Sequence, residues 1–249
     1  MRNDYTLDKL TAMRLSGMYE AYEQQSNNKD IHSLSFEERF SLLVDAEYAR
    51  RQTNKLSRLI NQATFSNSEA CMEDIEYYPD RHLDKELMIR LSTGKYLEDG
   101  INIILMGASG NGKTWIANAL GNQACRQFRR VKYIRLPELI DQLKLAKYEA
   151  DGSYRKFITK YRKFDLLIID EWLLTNLSQE DSLHILEILE ARLNKVSTIF
   201  CSQFAPEGWH SKIENPQLAD AILDRIIHNS FKILLDGEIS MRERHGLVP

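Results

Sequence analysis

Residues 107–114 read GASGNGKT and fit the pattern G-x-x-x-x-G-K-[ST], which is typical of a loop that wraps around phosphate groups. Its glycines allow the backbone to turn tightly enough for successive N–H groups to surround an anion. A helix that begins directly after such a loop adds the positive end of its dipole. We expect Lys113 to reach the β- and γ-phosphates of a nucleotide and Thr114 to ligate Mg²⁺. The predicted nucleotide contacts are Gly107, Ala108, Ser109, Gly110, Asn111, Gly112, Lys113, Thr114 and Trp115.

The sequence around this loop alternates between strand-like and helix-like patterns. Short apolar runs rich in β-branched residues predict five strands, at 101–106, 131–136, 166–169, 198–201 and 231–235. Amphipathic segments of helical length separate them, for example at 178–195. Strands that alternate with helices build a parallel sheet covered on both faces. The predicted fold class is therefore α/β, with a parallel five-stranded sheet flanked by helices.

A second motif, DLLIIDE at 165–171, places two carboxylates at the end of a buried strand. Ligands bind at that edge of a parallel sheet. We expect Asp170 to hold Mg²⁺, directly or through water, and Glu171 to orient and polarise the attacking water. A helix cap is the alternative role for the pair. Small-molecule kinases need no water-polarising glutamate here, so the motif favours hydrolysis over phosphoryl transfer.

Three further places are candidates for contacts with the nucleotide. Ser202 and Gln203 follow the fourth predicted strand, where either side chain could position water beside the γ-phosphate; a cap or turn explains them about equally well. Arg225 could reach the nucleotide of a neighbouring subunit as an arginine finger, or lie on a solvated helix face. Arg242 could touch the γ-phosphate of its own chain, or belong to a basic tail without a specific role.

The first part of the chain is predicted to be helical to about residue 65, since it lacks Pro and its single Gly is Gly17. Ser35 and Glu38 form a capping-box pattern at the start of a long amphipathic helix. A shorter helix precedes it, with apolar positions from Leu7 to Tyr22, and 24–29 is the predicted polar connector. We expect a small all-helical domain at 1–66, a connector at 67–100 and the nucleotide-binding domain at 101–249.

The composition is that of an ordinary globular protein of 249 residues, 43% apolar and 28% charged. No apolar run reaches the roughly 18 residues of a membrane span, and the N-terminus lacks a secretory pattern. Cys71, Cys125 and Cys201 have no CxxC spacing, which argues against disulfides or a zinc cluster and favours the cytoplasm. With a formal net charge of −3, nucleic-acid binding would require local basic patches.

Two stretches carry such local positive charge. The segment 144–163 contains seven Lys and Arg residues with interleaved aromatic residues, and the long N-terminal helix has no acidic residue over 48–64. Contacts with a nucleic-acid backbone need charge of this kind, although solvated surface is the alternative. The cations at 126, 129 and 130 are instead expected to complement a helix dipole. The predicted DNA contacts are Lys144, Lys147, Tyr148, Arg155, Lys156, Lys160, Arg50 and Arg51.

Several stretches occur together in one known family. They are LSFEERFSLLVDAEYARRQTNKLSRLINQA at 34–63, GASGNGKTWIANALGNQAC at 107–125, VKYIRLPEL at 131–139, DLLIIDE at 165–171, the Ser-Gln pair at 202–203 and ADAILDRIIHNSFKILLDGEISMRE at 219–243. In this order they resemble the IstB-like transposition helper ATPases, which are relatives of the DnaC-type helicase loaders in the AAA+ superfamily. The resemblance covers most of the chain.

The resemblance implies a P-loop AAA+ fold and a DNA-stimulated ATPase of a bacterial insertion sequence. Such a protein assembles as a homo-oligomer on double-stranded DNA with ATP and Mg²⁺, and recruits and stimulates a partner transposase; no membrane partner is expected. The resemblance further implies that Asp170 and Glu171 serve magnesium binding and hydrolysis, that Arg225 bridges subunits and that Arg242 is a C-terminal nucleotide sensor.

The sequence departs from the family pattern at two places. The sensor after the fourth strand is often Asn in relatives, so Gln203 or Ser202 must serve here. Only about 14 residues follow the fifth predicted strand, so the helical lid of AAA+ proteins is minimal or absent. Three alternatives remain open: a helicase loader of the DnaC type, a small-molecule P-loop kinase, and a nucleotide-gated scaffold whose hydrolysis is incidental. Glu171 and the missing lid argue against the kinase.

Overall fold

The chain folds as two units that meet in the sequence between Arg58 and Leu59, within a long helix. The computed structural model describes residues 4–28, 31, 33–149 and 151–246. The first unit contains the predicted N-terminal helices: α1 (Asp4–Ala12), α2 (Ser16–Asn27) and the first part of α3 (Phe36–Ala63). Among the described residues, no helix has the length and apolar character needed to cross a bilayer.

The long helix α3 begins where the sequence predicts. The Glu38 N–H donates to Ser35 Oγ at 3.3 Å, and the Ser35 N–H donates to Glu38 Oε2 at 2.8 Å, so both halves of the capping box form. Close packing with α2 needs a small residue, because a Cβ on Gly17 would lie 2.7 Å from Glu47 Cα. The Gly17 N–H also donates to Glu47 Oε2 at 2.8 Å, which fixes the two helices against each other.

Two details of the first unit differ from the prediction. The single short helix is divided into α1 and α2, because Arg14 adopts a left-handed conformation with φ of 57°. The predicted connector is helical over its first residues, where Gln25 Nε2 donates to the Arg39 carbonyl oxygen at 2.9 Å and Ser26 Oγ donates to the Tyr22 carbonyl oxygen. Polar side chains thus find partners inside the unit. Lys29, at the end of that connector, lies outside the described residues.

The second unit contains a five-stranded parallel sheet, which confirms the predicted α/β fold. Its strands are β1 (Asn102–Met106), β2 (Val131–Arg135), β3 (Leu166–Asp170), β4 (Ser197–Ser202) and β5 (Ser230–Leu234), in the order β2-β3-β4-β1-β5. Its helices are α4 (Lys85–Ser92), α5 (Lys95–Glu98), α6 (Lys113–Arg126), α7 (Leu136–Tyr148), α8 (Ser153–Arg162), α9 (Gln179–Arg192), α10 (Pro216–Ile227) and α11 (Met241–Arg244).

The strand order explains why the candidate functional side chains lie at one edge of the sheet. Strand β3 is buried along its whole length, and Trp172, Phe200 and Trp209 pack edge-on beneath its carboxyl end. Because β1, β3 and β4 are neighbours and parallel, their carboxyl ends meet at one edge of the sheet. The loop after β1, the carboxylates at the end of β3 and the polar pair Ser202 and Gln203 at the end of β4 therefore lie at that edge.

Candidate active site

The loop between β1 and α6 adopts backbone conformations that favour glycine. The φ angles are 147° at Gly107, 90° at Gly110 and 86° at Gly112. A Cβ on Gly107 would lie 2.1 Å from the Leu235 carbonyl oxygen, so the loop presses closely on the chain after β5. Helix α6 begins directly after Gly112, and this arrangement of loop and helix N-terminus favours anions.

Lys113 reaches back across this loop. Its Nζ donates to the carbonyl oxygens of Gly107 and Ala108 at 2.7 and 2.8 Å, and the residue is 8% exposed. Burial lowers the pKa of the Lys113 ammonium. Hydrogen bonds between an ammonium and a phosphate are stronger than those to neutral carbonyl oxygens. A nucleotide phosphate beside Lys113 would therefore replace the carbonyl partners with better ones.

Asp170 accepts three hydrogen bonds at the end of β3. Its Oδ2 accepts from Thr114 Oγ1 at 2.7 Å and from the Tyr133 hydroxyl at 2.9 Å, and its Oδ1 accepts from the Glu171 N–H at 2.8 Å. The carboxylate is thus fixed, with the Thr114 hydroxyl oxygen beside it at the wall of the cavity. Adjacent carboxylate and hydroxyl oxygens are the ligand chemistry that Mg²⁺ prefers, so the residues present fit this ion.

Glu171 follows Asp170 in a left-handed conformation, with φ of 56°. A non-glycine residue in this region is uncommon, and the Trp172 N–H that follows still donates to the Cys201 carbonyl oxygen of β4 at 2.8 Å. The Glu171 side chain lines the same cavity, and its Oε1 lies 3.8 Å from a guanidinium nitrogen of Arg135. Arg135 also pairs with Glu138, so it is shared between two carboxylates. Glu171 is therefore held at the cavity and does not cap the next helix, because the N-cap residue of α9 is Ser178.

Ser202 and Gln203, at the end of β4, have different surroundings in the structure. Ser202 is fully buried; its Oγ donates to the Trp172 carbonyl oxygen at 3.0 Å and accepts from Trp209 Nε1 at 3.1 Å. These contacts hold the aromatic residues beneath the sheet edge. Gln203 is exposed and lines the cavity. Only Gln203 of the pair is thus in a position to face a nucleotide.

A cavity of about 700 Å³ joins these side chains. Six of the nine predicted loop contacts line it: Ser109, Gly110, Gly112, Lys113, Thr114 and Trp115. The other three support the loop from outside the lining. Gly107 and Ala108 supply carbonyl oxygens to Lys113, and Asn111 Nδ2 donates to the Leu235 carbonyl oxygen at 2.9 Å.

The end of the described chain forms another wall of the cavity. The single-turn helix α11 is attached to the phosphate loop by the Met241 N–H, which donates to the Gly110 carbonyl oxygen at 2.9 Å. The guanidinium of Arg244 stacks 4.2 Å from the Tyr78 ring centre, and His245 Nε2 lies 2.8 Å from Glu76 Oε2. These contacts hold α11 so that Arg242 lines the cavity, although no larger helical lid follows β5 in the described residues.

Arg225 lies away from the cavity. It is near the end of α10, and its guanidinium donates to Glu190 Oε1 and to the Ala221 carbonyl oxygen, both at 2.7 Å. It shares a small surface hollow with Asn102, the first residue of β1, whereas the phosphate loop follows the other end of that strand. Arg225 therefore cannot contact a nucleotide in the cavity of its own chain.

The predicted DNA contacts divide into three groups in the structure. Lys144 and Lys147 on α7 pair with Asp181 and Glu180 on α9, at 2.8 and 2.9 Å, while Tyr148 is exposed. In the first unit, Arg50 pairs with Glu20 and Arg51 with Glu47. Acidic residues therefore neutralise part of the predicted charge, and all of them except Glu47 are distant in the sequence from their partners.

The third group forms a concave surface. Arg155, Lys156 and Lys160 of α8 line a hollow of about 530 Å³ with Arg130 and Lys163, and we call these five residues the basic hollow. Thr159 and Phe164 complete the lining. Asp165 forms an ion pair with Arg130 at 3.6 Å, and Asp151 lies near enough to Lys156 to interact with it electrostatically. Arg130 was expected only to complement a helix dipole, and its place in the basic hollow follows from the tertiary structure.

Several residues that line or support the cavity were not predicted from the sequence. Asp74, Ile75, Glu76 and Arg81 lie in the connector before the sheet, and Met241 and His245 flank Arg242. Tyr133 supports Asp170 from the neighbouring strand β2. Tyr133 is buried within β2, but no local signal in the sequence shows that its hydroxyl reaches a carboxylate.

Comparisons with known proteins agree with this geometry. The sequence matches the family model of IstB-like ATP binding proteins over residues 8–248. It is 39% identical over 239 residues to the insertion sequence ATP-binding protein y4pL of Sinorhizobium fredii, with 96% of each chain covered. It is 40% identical over 203 residues to the ATP-binding protein of insertion sequence IS1162 from Pseudomonas fluorescens, covering 82% of this chain and 87% of that protein.

Among solved structures, the DnaC helicase loader is similar in fold. The superposition has a TM-score of 0.56 at 18% identity and covers 67% of this chain and 97% of the loader. At this identity the likeness establishes the fold alone. It supports assignment of the α/β unit to the P-loop AAA+ fold.

Proposed function

This chain belongs to the family of IstB-like ATP binding proteins, and on that basis we propose that it is a DNA-stimulated ATPase that helps an insertion sequence to transpose. The observation that carries the proposal is the single cavity lined by Lys113, Thr114, Asp170 and Glu171. These are the groups needed to hold a triphosphate, ligate Mg²⁺ and activate water. The proposed cofactors are therefore ATP and Mg²⁺.

The proposed hydrolysis assigns one task to each side chain. Lys113 and the loop N–H groups hold the β- and γ-phosphates, and Thr114 and Asp170 hold Mg²⁺. When bound, the ion neutralises charge on the phosphate oxygens. Glu171 accepts a proton from the attacking water, which Gln203 helps to position. Arg242, at the cavity wall, contacts the γ-phosphate of the ATP that is bound by its own chain.

We further propose that the site is completed by a neighbouring copy. Arg225 is near the end of α10 and remote from its own cavity, and it holds its guanidinium at the surface through Glu190. This placement suits a residue that acts on the nucleotide of an adjacent subunit, where an arginine stabilises the charge that develops during hydrolysis. ATP would then hold copies together as a homo-oligomer.

The surface proposed to bind duplex DNA is the basic hollow on α8. It concentrates five cations, of which only Arg130 has a nearby acidic partner among the ion pairs of the described residues. The cations on α7 are already neutralised by acidic residues of α9. Cations that are not already paired can neutralise backbone phosphates, which releases the counterions condensed on the DNA. Such contacts carry no sequence information.

A triple substitution tests this assignment. Arg155→Ala, Lys156→Ala and Lys160→Ala together are expected to weaken duplex binding irrespective of sequence. The slope of log K against log salt should fall by about 0.9 for each DNA phosphate that the variant no longer neutralises. The matched control is Lys144→Ala with Lys147→Ala, whose charges are already paired. Salt-titrated fluorescence anisotropy with two unrelated duplexes measures both; a larger loss of affinity in the control would move the DNA surface to α7.

The proposed partner is a transposase. The y4pL and IS1162 proteins are named for insertion sequences, and their matches cover 96% and 82% of this chain, which favours a transposase over a replicative helicase. A helicase loader remains the second candidate, because the solved DnaC loader shares the fold. Pull-down with an insertion-sequence transposase, compared with a replicative helicase, separates the two.

A further inference from the structure

Arg81 is a buried cation beside the phosphate loop that the proposed hydrolysis does not use. It lies in the connector before α4, is 3% exposed and lines the cavity. Its guanidinium donates to the carbonyl oxygen of Glu76 at 2.7 Å and to that of Asn111 at 3.1 Å. Nε has no hydrogen-bond partner, and no carboxylate of the described residues lies within ion-pair distance of the side chain.

A charge in this position is costly to bury. Burial lowers the pKa of the Arg81 guanidinium, although arginine stays charged in proteins. Buried charges in proteins are usually paired with an opposite charge, whereas the hydrogen bonds of Arg81 go to carbonyl oxygens, and the carboxylates of Glu76 and Asp80 act on it only from beyond ion-pair distance. An arginine fork suits this task, because its fixed donors can reach two carbonyl oxygens at once. The arrangement is therefore suited to orienting a carbonyl group.

The carbonyl that Arg81 binds belongs to the peptide group shared by Asn111 and Gly112. In a planar trans peptide the C=O and N–H bonds point in opposite directions, so a fixed Asn111 carbonyl also fixes the Gly112 N–H. Within the part of the chain that the structure describes, the Gly112 N–H donates to no protein acceptor. Gly112 itself lines the cavity. Its N–H is therefore available to a ligand.

We infer that Arg81 is a positioning residue for nucleotide binding. It holds the Asn111–Gly112 peptide with its N–H toward the phosphates, and its charge polarises that peptide so that the N–H becomes a better donor. Phosphate-binding loops cradle the phosphates with such N–H groups. The inference rests on the proposed ATP binding. It assigns to the connector a role in phosphate recognition, beyond the P-loop motif itself.

The test compares two buried arginines. Arg81→Lys keeps the charge but replaces the two guanidinium nitrogens that bind the Glu76 and Asn111 carbonyl oxygens with a single ammonium nitrogen. The matched control is Arg192→Lys: Arg192 is 2% exposed, also donates to backbone carbonyl oxygens, those of Tyr161, Phe164 and Ser197, and does not line the cavity. Thermal unfolding first shows that each variant is folded. Calorimetric titration then gives its affinity for ATP, ADP and adenosine, and the ¹H–¹⁵N resonance of the Gly112 amide reports on the environment of that N–H.

Arg81→Lys should weaken ATP and ADP binding roughly ten- to a hundredfold, leave adenosine binding within about twofold and move the Gly112 resonance. Arg192→Lys should change none of these. Equal losses for adenosine, equal losses in the control, or an unmoved Gly112 resonance would overturn the inference.

Two measurements on the wild-type protein complete the test. If Arg81→Lys fails to fold, the wild-type protein still provides a test. Its Gly112 amide resonance should shift on addition of ADP, and an unchanged resonance contradicts the role of this N–H. Failure of the wild-type protein to bind ATP would instead remove the proposed function. The two failures are therefore distinguishable.

Discussion

Lys113→Ala should raise the dissociation constant for ATP about 100- to 1,000-fold. The substitution removes the ammonium that now holds the Gly107 and Ala108 carbonyl oxygens and that would bind the phosphates. Loss of one partner from a buried, charged hydrogen-bonded pair costs about 2 to 5 kcal/mol, and the expected change, about 2.7 to 4.1 kcal/mol, lies within that range. Titration calorimetry with ATP and Mg²⁺ measures the effect directly.

Lys132→Ala is the matched control for that experiment. Lys132 is also partly buried with a pKa lowered by burial, but its Nζ donates to Thr64 Oγ1 at 2.8 Å and it does not line the cavity. We expect its ATP affinity to stay within about twofold of wild type. Wild-type affinity in the Lys113 variant would refute the assignment of 107–114 as the phosphate loop.

Glu171→Gln should separate nucleotide binding from hydrolysis. The amide keeps the shape of the side chain but cannot accept a proton from water, so turnover should fall about 100- to 10,000-fold. ATP affinity should change little, because Asp170, Thr114 and Lys113 are untouched. A coupled phosphate-release assay under saturating ATP and duplex DNA gives the turnover.

The control for Glu171 is Glu138→Gln. Glu138 pairs with the same arginine, Arg135, but does not line the cavity, so its loss tests whether the ion pair alone matters. Comparable loss of turnover in both variants would contradict the assignment of Glu171 as the base. If Glu171→Gln retains full stimulation of the transposase, hydrolysis is incidental and the nucleotide-gated scaffold is the better account.

The features that sequence predicts best here are those with local causes. The alternation of short β-branched runs with amphipathic segments predicted all five strands, since each run must be buried between helices. Helix α4 begins after Asp84 and α9 after Ser178, and each of these side chains accepts from a backbone N–H three residues on. The glycine positions of the phosphate loop likewise carry their own conformational signal.

Features that depend on distant partners were not predictable in this way. Nothing near Tyr133 in the sequence indicates that its hydroxyl binds Asp170, and nothing near Arg81 indicates that it reaches Asn111. The choice between Ser202 and Gln203 also needed the structure, because the buried Trp209 indole donates to Ser202. These contacts arise only when the sheet assembles its edge.

The pattern of charges in the sequence was the poorest guide to the structure, because it did not show which cations are paired with acidic residues. The segment 144–163 is basic in sequence, yet Lys144 and Lys147 meet acidic residues of α9 that lie more than thirty positions away. Arg50 and Glu20 are similarly distant and paired. Conversely, Arg130 joins the basic hollow from the end of a different segment. Local counting of cations therefore does not show which of them remain unpaired and available to a polyanion.

The mass of the protein in solution, with ATP and duplex DNA supplied together and separately, tests the central claim most directly. Analytical ultracentrifugation of wild-type protein should show a many-subunit particle on the duplex only when both are present, because the nucleotide joins neighbouring copies through Arg225. A one-copy complex that persists with ATP and duplex both bound would contradict a site shared between subunits.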